Sequence, residues 1–172
     1  MLYYSMIYPY INYCNTAWAS THQTKLEPIY RLQKRALRII CCVHPRHSSQ
    51  PLFTRLGILT VFQVNHFQIG LFVHGSLGRT LPLFFHNLFT HNSQVHNYPT
   101  RSSNDLRPPI ARTAQTQFNI GFRGSKIYNS LPLYIWDLSS HQFKKVTKSL
   151  LLDTKYFPYG LLNEPGSIHY FL

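Results

Sequence analysis

The stretch Cys41-Cys42-Val43-His44-Pro45-Arg46-His47 gathers two thiols and two imidazoles within seven residues. These are donors that zinc takes, but zinc sites usually space them as Cys-x2–4-Cys and His-x3–5-His. Adjacent cysteines on a helix point different ways, Cys41 toward the apolar arc and Cys42 toward the basic one. The stretch therefore reads as a helix end, and no metal is expected there. Serine-histidine catalysis has no anchor, because the chain has no Gly-x-Ser-x-Gly elbow and no acid placed to orient a histidine. Gly121 and Gly124 lack phosphate-loop spacing and are expected to be turn residues around Arg123. The acids Glu27, Asp105, Asp137, Asp153 and Glu164 stand singly. Two-metal chemistry needs closely placed carboxylates, so no catalytic residue is assigned.

Positive charge is the chemistry that the chain does carry. Seventeen Lys and Arg stand against five Asp and Glu, a formal net charge of +12. That balance fits a polyanion, nucleic acid before an acidic membrane surface. At about 100° per residue, Arg31, Lys34, Arg35 and Arg38 share one arc of roughly 100°. Leu26, Ile29, Leu32, Ala36, Leu37, Ile39, Ile40 and Val43 cover a broad opposite side, expected to enter a bundle against residues 2–18. Glu27 is the acid that shares the charged side. Arg31 with Arg35 and Lys34 with Arg38 are like-charge i,i+4 pairs, each repelling by a few tenths of a kcal/mol. A phosphate backbone would relieve both and add counterion release. Lys144, Lys145 and Lys148 form a second, weaker patch opposite Phe143, Val146 and Leu150.

These cations need elements to hold them. Residues 2–19 are aromatic and apolar, which predicts one helix bent near Pro9. Thr24 and Glu27 fit a capping box for a helix from Leu26 to about Val43, stopped by Pro45. A short helix ends near Gly57, and a long apolar one runs from Thr60 to about Gly75. Residues 81–89 predict another short helix. The aromatic side chains of 2–18 and 62–89 are expected in cores, as are Trp18 and Trp136 with one edge exposed. Polar loop follows from His91 to Thr116. Phe118, Ile120 and Phe122 alternate as in a strand. A short helix before Pro132 and a last one over 141–152, capped by Ser140, complete the chain. No internal repeat is evident. No apolar run approaches the roughly 20 residues of a membrane helix, and no membrane partner is expected. Three cysteines without regular spacing fit a reducing, intracellular compartment, nucleus or cytoplasm.

Three segments resemble a known family in order and spacing: Tyr8–Trp18 (YPYINYCNTAW), Leu26–Ile40 (LEPIYRLQKRALRII) and Phe122–Ile135 (FRGSKIYNSLPLYI). They are similar to the C-terminal end of reverse transcriptases from non-LTR, LINE-type (jockey-like) retrotransposons. Phe143-Lys144-Lys145 stands where that family has a closing Phe-Lys-Lys helix. The resemblance covers about residues 2–152. Tyr128 replaces the usual Trp, and Ser125 a common Pro.

The resemblance implies a mainly α chain: a helical thumb-like bundle over 1–90, then a basic, loop-rich α+β segment over 91–156, with 157–172 an irregular tail. It implies a piece of an RNA-directed DNA polymerase; the core-like opening residues, for their part, are expected of a fragment of something longer. The catalytic palm, with its aromatic-x-Asp-Asp motif and Mg²⁺, would lie outside this chain. The chain itself would take no cofactor and have no catalytic activity alone. The thumb role implies RNA and DNA, as template–primer duplex, for partners, with the palm domain as a further one. Arg31, Lys34, Arg35, Arg38, Lys144, Lys145 and Lys148 would be the nucleic-acid contacts. A free-standing element-derived binding module and a decayed element copy without present activity are the alternatives.

Overall fold

A computed structural model describes residues 2–95 and 100–153; the tail over 157–172 lies outside them. The described residues are mainly helical and contain no strand, only an isolated antiparallel bridge between His91 and Leu106. The mainly α expectation holds. The strand expected at 118–122 does not: Asn119 caps a helix instead, its side chain accepting the Gly121 N–H at 2.8 Å. The chain divides into two compact units, one of residues up to Phe67 with the chain from Lys148, the other of Gln68–Thr147.

The first unit opens with three short helices, α1 (Leu2–Met6), α2 (Tyr8–Asn12) and α3 (Asn15–Trp18), in place of the single bent helix expected. Pro9 has no N–H to continue the ladder, and Cys14 takes a left-handed φ of 46°, so the segment breaks twice. Helix α4 (Gln23–Ile40) follows, three residues earlier at both ends than expected. Thr24 therefore lies inside the helix and caps nothing, and the Glu27 carboxylate faces Arg31 and Lys34 instead. The α4 C-terminus closes on Cys42, left-handed at φ 52°. The Cys42 N–H donates to Ile39 and the Val43 N–H to Arg38, the paired bonds of a Schellman end.

Helix α5 (Gln50–Leu56) ends at Gly57, whose φ of 61° needs no Cβ in the way. Helix α6 (Val61–Leu77) starts with a reciprocal cap. The Gln63 N–H donates to Thr60 Oγ1 at 3.3 Å, and the Thr60 N–H to Gln63 Oε1 at 2.9 Å. Tyr3, Leu37, Phe53 and Ile58 form the core here, flanked by Tyr4, Ile7, Tyr8, Tyr30 and Ile40. The expected packing of α4 on residues 2–18 is thus present, with Leu37 in the core and Tyr30 and Ile40 packed against it. Leu32 and Ile39, expected in the core, are exposed. Gln33, 2% exposed, takes a place on the buried side of α4 instead. Its Nε2 donates to Tyr3 Oη at 2.7 Å and to the Leu59 carbonyl at 2.9 Å, and its Oε1 accepts the Val61 N–H at 3.0 Å.

In the second unit, helix α7 (Ala114–Gln117) leads to α8 (Ile120–Asn129). Gly121 and Gly124 lie inside α8 and are not turn residues. A Cβ at Gly124 would sit 2.9 Å from Val73 Cγ2 and 3.0 Å from the Phe89 ring, so this glycine lets α8 approach α6 closely. Helix α9 (Ser140–Leu152) closes the described chain, with Phe143 fully buried.

The structure also exposes a repeat, although none is evident from sequence periodicity. Thr80-Leu-Pro-Leu-Phe-Phe-His-Asn-Leu88 and Ser130-Leu-Pro-Leu-Tyr-Ile-Trp-Asp-Leu138 share their leucines and proline and match in type at Thr/Ser, Phe/Tyr and Asn/Asp. Both fold alike. The Pro82 and Pro132 carbonyls accept the N–H groups of Phe85 and Ile135, and Leu83 and Leu133 accept those of His86 and Trp136. Each is therefore a single 3₁₀ turn, not the short α-helix expected at 81–89. A helix end precedes each, because proline cannot continue it. Phe85 and Ile135 turn inward; Leu83, Leu133, Tyr134 and Phe84, the last expected in the core, turn out.

Candidate nucleic-acid interface

The four cations of α4 lie on one side of it, as their spacing requires, but they are not equivalent. Arg31 and Arg35 are exposed. Arg31 Nε lies 3.6 Å from Glu27 Oε1, and Lys34 Nζ lies 4.0 Å from the same oxygen. Lys34 also stands over the Tyr30 ring at 4.1 Å and is only partly exposed. Arg38 donates its Nε to the His47 carbonyl at 2.9 Å, tying the helix end to the following loop. One carboxylate and one carbonyl thus soften the repulsion at both ends of the arc. The guanidinium of Arg35, between them, has neither. Exposed ion pairs of this kind are worth at most about 1 kcal/mol, so Glu27 yields easily to a competing phosphate.

The α9 cations divide differently. Lys144 and Lys145 are exposed in the second unit. Lys148 belongs to the first unit, donates to Tyr4 Oη at 3.4 Å and lies 5.5 Å from the Tyr4 ring centre. It is a packed residue with a partly exposed ammonium.

Other polar groups are committed to the fold. His74 Nε2 bonds the Leu138 carbonyl at 3.0 Å, its ring stacks on Phe143 at 4.0 Å, and burial holds its pKa below the ordinary histidine value. A cavity of about 300 Å³ beside it is lined by Tyr128, Trp136, Asp137 and His91 among others. His91 Nδ1 bonds the Asn104 carbonyl at 2.7 Å. Both imidazoles are thus held by backbone carbonyls. Tyr128 is buried and stacked on Trp136 at 5.1 Å, so its ring is part of the core. Burial pushes the Arg123 guanidinium down to about 10 and leaves its Nη1 without a partner among the described residues. It is not a surface contact. No three His, Cys, Asp or Glu come together for a metal among the described residues. No single described helix is long and apolar enough to cross a membrane.

Comparison with family models, curated proteins and solved structures finds no match to the chain. A functional reading therefore rests on the geometry of the cationic arc and on the sequence motifs. Of those motifs, Tyr8–Trp18 forms α2 and α3, Leu26–Ile40 lies in α4, and Phe122–Ile135 forms most of α8 and the second 3₁₀ turn.

Proposed function

We propose that this chain is the thumb-like part of a LINE-type RNA-directed DNA polymerase, holding template–primer duplex through phosphate contacts and doing no chemistry itself. The observation that carries the reading is the cationic arc of α4, with Arg31 and Arg35 exposed on a helix whose opposite side packs a core. Phosphate contacts position a duplex without reading its sequence, which suits a polymerase that must accept every template. The three motifs, in order, support the parentage.

The test is binding of RNA–DNA hybrid and duplex DNA across a salt series. Affinity is expected to fall with a log–log slope near −0.9 per contacted phosphate on B-form DNA. Replacing Arg31, Lys34, Arg35 and Arg38 by Gln keeps helix propensity nearly constant. It should make the slope shallower by about 2 units, since Lys34 and Arg38 are partly engaged within the fold. Stability should stay within about 0.5 kcal/mol of wild type, because surface changes rarely cost more. A variant that binds with unchanged affinity and slope would show the arc to be merely solvated.

A further inference from the structure

The duplicated 3₁₀ turn places an outward Leu-aromatic pair at each of two sites in the second unit. Leu83 and Phe84 are 83% and 87% exposed, and Leu133 and Tyr134 are 61% and 64% exposed. The inward residues of the same turns, Phe85 and Ile135, show that the fold had an apolar interior available. The outward pairs are nevertheless repeated, aliphatic then aromatic, on the same backbone. Chance exposure accounts for one such tip far more easily than for two with matching hydrogen bonds.

We propose that Phe84 and Tyr134 are stacking platforms for unpaired bases of single-stranded nucleic acid, with Leu83 and Leu133 packed against the next base or sugar. The proposal rests on the reading of the chain as a nucleic-acid binder and extends it from duplex phosphates to single strands.

The chemistry of the second unit selects this occupant. Residues 68–147 carry eight Lys and Arg (Arg79, Arg101, Arg107, Arg112, Arg123, Lys126, Lys144, Lys145) against Asp105 and Asp137. Exposed cations flank both turns in sequence: Arg79 directly before the first, Lys126 before the second, and Lys144 and Lys145 after it. A polyanion is attracted, whereas a second copy of so basic a unit is repelled. Polar residues also bound each tip, Thr80 and Asn87 at one, Ser130 and Asp137 at the other. A flat base needs only one exposed ring face. Aromatic stacking beside basic residues is how sequence-tolerant single-strand binding is built.

The experiment measures binding of a fluorescent, non-self-pairing single strand and of duplex to the full chain. Three double variants are compared with wild type: Phe84→Ala/Tyr134→Ala, Phe84→Leu/Tyr134→Leu and Phe84→Tyr/Tyr134→Phe. The Ala and Leu pairs should each weaken single-strand binding by roughly 5- to 150-fold per engaged base. The salt slope and duplex affinity should not change, since no charge is removed. The Tyr/Phe exchange should bind as wild type, which also shows that the turns still fold. If the Ala pair binds single strand like wild type while the α4 glutamine variant loses duplex affinity, stacking is wrong and the phosphate grip stands. If the Ala pair weakens binding but the Leu pair does not, the tips make a general apolar contact of the kind a protein or lipid partner would use, and stacking is again wrong. If wild type binds neither form, the nucleic-acid reading fails and stacking with it.

Discussion

Gln33 offers the sharpest test of how the first unit holds together. Both of its amide hydrogens and its oxygen are used, joining α1 through Tyr3, the link before α6 through Leu59, and the first N–H of α6 through Val61. That N–H is one of the donors that a helix start leaves unpaired, and here a side chain from another helix supplies the acceptor. Gln33→Met nearly conserves volume, so packing is kept while the three bonds are lost. The Val61 N–H and the Leu59 carbonyl are left unpaired among apolar neighbours, and Tyr3 loses a donor. At about 1–3 kcal/mol for each of the two stranded groups, the loss is about 2–6 kcal/mol. For a chain of this size that is a fall of roughly 4–24 °C in Tm. The assay is far-ultraviolet circular dichroism, by heating and by urea. Gln33→Glu adds a check by pH. A buried carboxylate has its pKa raised above the unfolded value near 4.3. The stability of that variant is therefore fully present below that value and is lost as pH rises through the folded pKa. A Gln33→Met protein melting within about 2 °C of wild type would refute the network as a source of stability.

Three further outcomes are expected. Leu37→Lys buries an unpaired charge and should cost about 3–5 kcal/mol, while Ile39→Lys, two residues on but exposed, should change stability by no more than about 0.5 kcal/mol; urea titration compares them. Gly124→Ala gains about 1 kcal/mol of helix propensity but drives a methyl into Val73 and Phe89 at a cost of about 1–3 kcal/mol, so no net gain and a loss of up to about 2 kcal/mol should appear in the same titration. His74, beside Phe143 with His91 and Asp137 near the same cavity, has a folded pKa below its unfolded 6.5. The unfolded chain thus takes up the proton first, and stability is full above 6.5 and declines as pH falls from there toward the folded pKa. Between about pH 7.5 and 5.5, wild type should lose more Tm than His74→Gln.

The long helices are legible in the sequence because their signals agree with one another. The α4 pattern, the Thr60 start of α6 and the Pro-bounded end of α8 each repeat a cue at the right spacing. The misleading stretches share a cause, which is that a local pattern has more than one partner in space. Phe118, Ile120 and Phe122 alternate, but Ile120, Ile127 and Leu131 also recur at helical spacing, with Gly124 in the slot where α6 comes close. Thr24 and Glu27 spell a capping box, yet the helix starts before them and Glu27 meets Arg31 instead. The repeated turns are hard to see in sequence because their identity is confined to Leu-Pro-Leu and a terminal Leu. Only the matching hydrogen bonds show that the intervening positions are equivalent.

The candidate site is legible in its charge and not in its engagement. Spacing alone puts Arg31, Lys34, Arg35 and Arg38 on one arc. Spacing cannot show that Glu27 and the His47 carbonyl occupy the arc's ends, nor that the apolar side is only half covered. On α4 these facts are linked. Gln33 ties α4 to Tyr3, Leu59 and Val61 along its buried side, while Leu32 and Ile39 stay in solvent on one flank and Lys34 stands over the Tyr30 ring of the same helix on the other. A leucine at 33 would make none of these three bonds, and α4 would lose the directional contacts that fix its rotation about its own axis. The polar residue in the core thereby sets where the charge points. If the arc holds phosphates as proposed, loss of the Gln33 bonds should reduce nucleic-acid affinity at temperatures where the fold persists, although Gln33 itself lies in the core.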